Sequence, residues 1–483
     1  MGGGWARRQY RRSTYHLLGA LRMYSTTSAG IDAGALREQL MGAVTVPGDA
    51  GWDDARQAWN LAVDQHPAAV AEPETVSDVV AVVNFARERG LRVAAQGTGH
   101  AASALAEASL HDTILVKTHR MRVVEVDPDS RRVQAQAGAL WADVVGPASE
   151  HGLAALAGSS HDVGVVGYCL GGGLSWLARK HGLAANSVVA IQIVTADGRV
   201  VVADANHDPD LFWAVRGGGG SFGIVTAIEL ALYPVDELYA GMLAFPVERA
   251  SEILRAWREW VRTVPDEATS VGRILHFPPL EDIPAPMRGQ SFVVVEMAYL
   301  GDEASAAQLL APLRALGPVM DTFAPATPAD LLQLHMDPPH AVPGIGDGAL
   351  LDVVPGEAID ALVAVSGADT PMLSVELRHL GGALGRAPKG HGALATLEGD
   401  FALFAVGIAP HAAAAEAIKA HLDVIQGAIC EWDAGRRYLN FTESAIDTRR
   451  AFSGGAYRRL QAVKTLVDPD DVFRANHPIA PID

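Results

Sequence analysis

The sequence predicts an α+β fold in two layered parts, and three observations predict it. Strand-like apolar runs alternate with amphipathic helical runs along the chain. The composition shifts near Pro234, from a glycine-punctuated segment over residues 45–235 to an alanine-rich one over residues 238–435. The length, 483 residues, is ample for two large domains at roughly 150 residues or more each. Residues 436–483 form a distinct closing segment.

In the first part, Thr75 and Asp78 form a capping box, Val76, Val79, Val80 and Val83 supply a helical stripe, and Gly90 ends the helix. A strand over Leu91–Ala95 then feeds Gln96, Gly97, Thr98, Gly99 and His100, and a second strand follows over Thr113–Lys117. The predicted order is strand, glycine turn, strand. Further strands are expected over Arg132–Ala137, Val188–Thr195 and Arg199–Ala203, the last two separated by an Asp197-Gly198 turn. In the second part, Ser291–Met297 and Phe401–Val406 read as strands, and Glu303–Leu316 and Ala412–Ile425 as helices. The closing segment holds a helix from about Tyr457 to Val467.

Lys plus Arg minus Asp plus Glu is 38 − 56 = −18, which argues against nucleic acid or an anionic membrane as partner and leaves a small molecule. Two cysteines, Cys169 and Cys430, build neither a disulfide framework nor a Cys-rich metal site. No apolar run reaches the ~20 residues of a membrane span. The arginines of RRQYRRS, Arg7, Arg8, Arg11 and Arg12, resemble a twin-arginine signal, but the apolar stretch after them, His16–Ala20, is too short. Residues 1–32 are expected to be a disordered leader on a cytoplasmic protein, monomeric or homodimeric. His207 with Asp204, Asp208 and Asp210 looks metal-like, yet N-H-D-P-D before Leu211 is better read as a helix start, so no metal is expected.

Glycines cluster three times: Gly97 and Gly99; Gly164, Gly167, Gly171, Gly172 and Gly173; and Gly217 to Gly220. Backbone that must approach a phosphate or a flat ring cannot carry side chains there, so the three loops together suit a dinucleotide. Gly97, Gly99 and Ala102 match G-x-G-x-x-A formally. No long helix is expected to open at Thr98, and Lys117 or Thr118 stands where an acid should hold the ribose, so a Rossmann site is rejected.

The strings QGTGH at Gln96–His100, GSSHDVGVVGYCLGGG at Gly158–Gly173 and RGGGGSFGIVT at Arg216–Thr226 resemble the flavin domain of the berberine bridge enzyme-like family. RRYLNF at Arg436–Phe441 and DPDDVFRANHPI at Asp468–Ile479 resemble its closing segment. Together they cover nearly the whole chain beyond Gly51, in family order. The resemblance implies a bipartite PCMH-type FAD-binding domain of the vanillyl-alcohol-oxidase fold, an inserted α+β substrate domain with an antiparallel sheet covered by helices, and a C-terminal return to the flavin. It implies that FAD is held by Gln96, Gly97, Thr98, Gly99, Ala101, Ser159, Ser160, Gly164, Val166, Gly167, Gly171, Gly172, Gly173, Gly223, Ile224, Val225, Tyr438 and Asn476. His100 stands where the family's histidine bonds covalently to the flavin, and an imidazole nitrogen is a competent nucleophile for such a link. Ser160 replaces the cysteine of a second link, so single attachment is expected, with Cys169 a small buried residue.

Val163 matches the position that governs dioxygen access, and its small side chain favours an oxidase. The resemblance makes Tyr438 of the YxN motif the base that deprotonates substrate. Tyr438 and Asn440 stand two apart on a predicted strand and so share a face. A phenol of pKa ~10 needs a neighbouring cation to act near neutrality. Arg378 is the candidate; it shares a strand face with Glu376, and a solvated charge pair is the competing reading. His335 in LLQLHMDPP reads as a satisfied core histidine and is not assigned to the site. The expected activity is hydride abstraction from an alcohol or amine carbon of a small organic molecule, with reoxidation by dioxygen to hydrogen peroxide. A dehydrogenase, a non-redox cyclase keeping FAD as scaffold and a flavin-carrying binding protein are the alternatives. Sugars, alkaloids, polyketides and peptides are all substrates on this scaffold.

Overall fold

Three sheets carry the architecture of this computed structural model, which describes residues 31–482 apart from 280, 282, 284 and 369. The expected leader thus lies almost wholly outside the described residues. Residues 32–483 group as one compact unit, and Asp32 caps its first helix, Ala33–Arg37, by accepting from the Ala35 N–H.

The first sheet runs in the order Ala43–Thr45, Ala69–Glu72, Thr113–Lys117, Arg92–Gln96, Phe473–Arg474. Its last four strands are parallel, so the end of the chain pairs directly with the strand that leads into the first glycine loop. The crossover helix Val76–Arg89 begins with the Thr75/Asp78 capping box and ends on Gly90 in the left-handed region, as the sequence indicates. One detail differs from the expected strand, glycine turn, strand: a four-residue helix, Ser103–Ala106, follows the turn. It is far too short for a Rossmann helix.

The second sheet is antiparallel, in the order Val124–Asp127, Arg132–Gln136, Ile224–Ala231, Val188–Val194, Val200–Asp204. The helix expected before Leu211 starts at Pro209. Among the described residues no group of His, Cys, Asp and Glu is arranged to hold a metal, and no helix is long and apolar enough to cross a membrane.

The third sheet has eight strands, the main path being Met320–Asp321, Tyr239–Pro246, Ser291–Tyr299, Ala268–His276, Ser374–His379, Phe401–Ile408, Gly344–Leu351. One face packs on the helices Ala250–Val261, Glu303–Arg314, Gly356–Val365 and Ala412–Ile429, through Leu243, Val295, Leu377 and Leu403 against Leu254, Trp257, Leu310, Ile359 and Ile425. Period-two alternation then places Glu296, Arg273, Glu376 and Arg378 together on the other face.

Two elements differ from the sequence reading. Tyr438 and Asn440 do not share a strand: Leu439–Phe441 is a 3-10 turn, with Tyr438 extended at its start. The closing helix begins three residues early, at Gly454, because the Ser453 hydroxyl accepts from the Ala456 N–H.

Candidate functional site

The glycine loops meet. Thr98 lies beside Gly164, joining the first cluster to the second. Gly219 N–H donates to the Leu170 carbonyl (3.1 Å), joining the third to the second. Ala137, which lies next to Gly97, donates to the Thr226 carbonyl (3.0 Å), so the strand that starts at Ile224 abuts the first loop. Gly223, Ile224, Val225 and Val166 are buried, so the side chains of the last three pack inside the protein. From the C-terminal segment the Asn476 carboxamide donates to the Ala101 carbonyl (2.5 Å). Gln96 is buried and pairs with Gln65 beneath Gly99.

His100 is held from three sides. Its ring stacks on Trp59 with centroids 3.9 Å apart, Nδ1 lies 2.7 Å from the Thr98 hydroxyl, and Nε2 faces Asp162 at 3.4 Å. Burial works to raise the Asp162 carboxyl, but His100, Ser160 and Trp59 together hold it down to about 2. Ser160 thus serves Asp162 (2.8 Å), while Ser159 donates to Asp337 (2.7 Å). Val163 is half-buried against the core, and its carbonyl accepts from Trp141.

At the other end of the short helix Val165–Leu170, Tyr438 lies against Gly172 and Asn440 against Gly171, and the Asn440 carboxamide donates to the Tyr168 carbonyl (3.0 Å). The 3-10 turn, not a shared strand face, brings both residues to one glycine run. Burial raises the Tyr438 phenol above its ordinary value, and the charge of Arg378 offsets this only in part. Tyr438 is therefore a neutral phenol in the free protein.

Arg378 and Glu376 are not a solvated pair. Arg378 Nε donates to Glu376 (2.7 Å) inside the protein, and the guanidinium lies 5.1 Å from the centre of the Phe441 ring, which meets Tyr438 edge-on. His335, set aside as a core histidine, stands at the centre of this charged face. Its Nδ1 and Nε2 each lie 2.7 Å from a carboxylate, Glu296 and Glu376 respectively. Burial and Arg273 work to lower the imidazole, yet Glu296, Glu376 and Asp337 raise it to about 9. His335 is a cation at neutral pH. A lone histidine on a Leu-rich helix carries no sequence signal for that; the charges come from strands far along the chain.

These residues fit a dinucleotide. A methyl group on Gly167 or Gly219 would meet nothing, so the backbone there borders open space. At this site the buried Tyr168 OH and Tyr438 OH have no hydrogen-bond partner among the described residues, and the contact of His100 Nε2 with Asp162 falls short of a hydrogen bond. An unpartnered buried donor or acceptor is costly, and a polar ligand relieves it.

Comparison with known proteins gives the same reading. Residues 67–204 match the FAD binding domain family, and residues 437–480 match the family described as berberine and berberine like. An FAD-linked oxidoreductase of Aspergillus fumigatus is 32% identical over 283 residues, 58% of each chain. The (R)-6-hydroxynicotine oxidase of Paenarthrobacter nicotinovorans is 26% identical over 463 residues, 92% of this chain and 97% of that one. The crystal structure of 6-hydroxy-D-nicotine oxidase from Arthrobacter nicotinovorans shares the fold, with a TM-score of 0.81 at 24% identity over 92% of this chain and 98% of that one. With both family segments in place and a matching fold, the chain belongs to the berberine bridge enzyme-like FAD-linked oxidoreductases, built as a PCMH-type FAD-binding domain with an α+β substrate domain.

Proposed function

We propose that the protein is an oxidase that takes hydride from an alcohol or amine carbon of a small organic molecule. The observation that carries this reading is the pair of unpartnered buried polar atoms, His100 Nε2 and Tyr438 OH, at the two ends of the helix Val165–Leu170. Bound FAD supplies the hydride acceptor and, once reduced, passes electrons to dioxygen to give hydrogen peroxide. His100, fixed by Trp59, Thr98 and Asp162, is the single covalent anchor, since Ser160 and not a cysteine stands at the second position. Gly167 leaves room for the cofactor, whereas Gly171, Gly172 and Gly173 serve packing, since a methyl there would meet Asn440, Leu394 or Tyr168.

Tyr438 receives the substrate proton at its phenolic oxygen. Because burial keeps the phenol neutral in the free protein, it works as a base only after losing its own proton to solvent, so reduction quickens as pH rises. Asn440 orients the reacting group from the same turn. Arg378 supplies positive charge beside the developing phenolate. Val163, small and half-buried, leaves a passage for dioxygen.

The test is anaerobic. A substrate should bleach the flavin, and admitted oxygen should restore the colour within one turnover while peroxide accumulates. Tyr438→Phe keeps the ring and deletes the hydroxyl, and should slow bleaching by ~10² to 10⁴ with little change in substrate binding. Bleaching without rapid recovery indicates a dehydrogenase; no bleaching by any alcohol or amine overturns the redox reading.

A further inference from the structure

The charged face of the third sheet has a polar ledger that does not close. Glu296, on the strand Ser291–Tyr299, accepts from Arg273 Nη2 (2.6 Å) and His335 Nδ1 (2.7 Å). Glu376 accepts from His335 Nε2 (2.7 Å) and Arg378 Nε (2.7 Å). With both ring nitrogens facing carboxylates, His335 donates twice and is an imidazolium. Three cations, Arg273, His335 and Arg378, thus face two carboxylates that they bond directly, with Asp337 a third carboxylate close enough to act on His335 and Arg378.

The unpaired donors sit on Arg378. The closest polar neighbour of its Nη2 is His335 Nε2, 3.2 Å away, a nitrogen whose proton already goes to Glu376. Its Nη1 makes no hydrogen bond among the described residues. The side chain keeps 14% of its surface accessible, whereas Arg273 and Glu296 behind it keep 3% and 0%. Asp337, whose charge favours the Arg378 cation, accepts from Ser159 and makes no hydrogen bond to Arg378 among the described residues. A guanidinium held at Nε, its outer fork free and its plane against Phe441, is set for a planar acceptor with two oxygens.

We infer that the two terminal nitrogens of Arg378 anchor a carboxylate, or another planar two-oxygen anion, on the substrate. The inference rests on the oxidase reading only for the claim that this face of the third sheet is the substrate side of the flavin. It deepens that reading: among alcohols and amines it selects those that also carry an acid, and the free guanidinium donors offer nothing to a substrate whose only charge is a protonated amine. Glu296, Arg273 and His335 act as positioning residues, fixing Glu376 so that Glu376 can fix Arg378.

The experiment is an equilibrium titration of the oxidised holoenzyme with sodium benzoate, followed by flavin absorbance and by calorimetry. Benzamide keeps the shape without the charge, and benzylamine reverses the charge. Benzoate should bind about tenfold or more tightly than either, as expected for charge-assisted hydrogen bonds. Arg378→Gln should abolish the preference, and Arg378→Lys, which keeps the charge but not the fork, should retain part of it. Equal binding of benzoate and benzamide by the wild type overturns the inference, as does a preference that survives in folded Arg378→Gln. Should Arg378→Gln fail to hold its flavin, the wild-type comparison and Arg378→Lys decide. Titration needs no turnover. An enzyme that no substrate reduces refutes the oxidase and leaves the anchor standing, whereas a flat benzoate titration in an active enzyme refutes the anchor alone.

Discussion

At the scale of single residues, the cofactor link is the sharpest case. His100 is legible in the sequence because glycines flank it and the family motif surrounds it. Trp59 and Asp162, which fix its ring, are not legible, since they come together across 103 residues. The same holds for His335. It is a satisfied histidine, as its setting suggests, but satisfied by carboxylates 39 and 41 residues away that no local pattern pairs with it. Because Asp162 stays ionised down to about pH 2, it faces the imidazole throughout the working range and loses that role only in strong acid. Acid-denatured wild type should keep its yellow colour on the polypeptide, His100→Ala should release it, and Ser160→Ala should not. Asp162→Asn, which removes the charge that orients Nε2, should leave a larger free fraction than wild type. Free FAD from acid-denatured wild type would refute the covalent link outright.

At the scale of elements, most helices and strands follow from caps and periodicity, and the exceptions have local causes. The pattern Tyr438, Leu439, Phe441 reads as a strand, but the Phe441 N–H and the Thr442 hydroxyl both donate to the Tyr438 carbonyl (2.9 Å each) and close a turn. Two glycines after Ser453 read as loop, yet the serine cap starts a helix through them. The turn at Tyr438 makes a specific demand on the second glycine run. Gly171 has ordinary helical dihedrals, so alanine costs the backbone nothing there, but its methyl would overlap the Asn440 carboxamide. Gly171→Ala should therefore displace Asn440, with about 1–3 kcal/mol lost to overpacking. Flavin reduction should slow in step. Gly167→Ala is the contrast: its methyl meets no protein atom, so apoprotein melting should not change, while the flavin-to-protein absorbance ratio should fall if the cofactor occupies that space. An unchanged ratio in Gly167→Ala would remove this glycine from the cofactor site.

At the scale of the whole molecule, the C-terminal segment ties the sheets together. Phe473–Arg474 completes the first sheet, His477 Nε2 donates to the Thr442 carbonyl, and Glu443 accepts from the Gly346 N–H of the third sheet (3.0 Å). Nothing in the sequence marks Glu443, because its neighbour Asp347 is nearly a hundred residues away. Burial raises the Glu443 carboxyl to about 8; Asp347 adds to the shift and the Gly346 N–H opposes it. The folded chain thus holds a proton that the unfolded chain releases near the ordinary value of 4.5. Stability from this group is fully present below pH 4.5 and is lost as pH rises through 8, by up to about 1.4 kcal/mol per pH unit. His335, raised to about 9 from 6.5, acts in the same sense over a higher window. His379 and His181, lowered by burial to about 3 and about 4, act in the opposite sense, losing stability as pH falls below 6.5. These terms remain in Glu443→Gln, which keeps an acceptor for the Gly346 N–H and removes only the titration. The melting temperature of wild type minus that of Glu443→Gln should decline from pH 5 to pH 8 and then level. A difference that does not vary with pH would show that the Glu443 carboxyl is solvated and that the C-terminal strap carries no proton-linked stability.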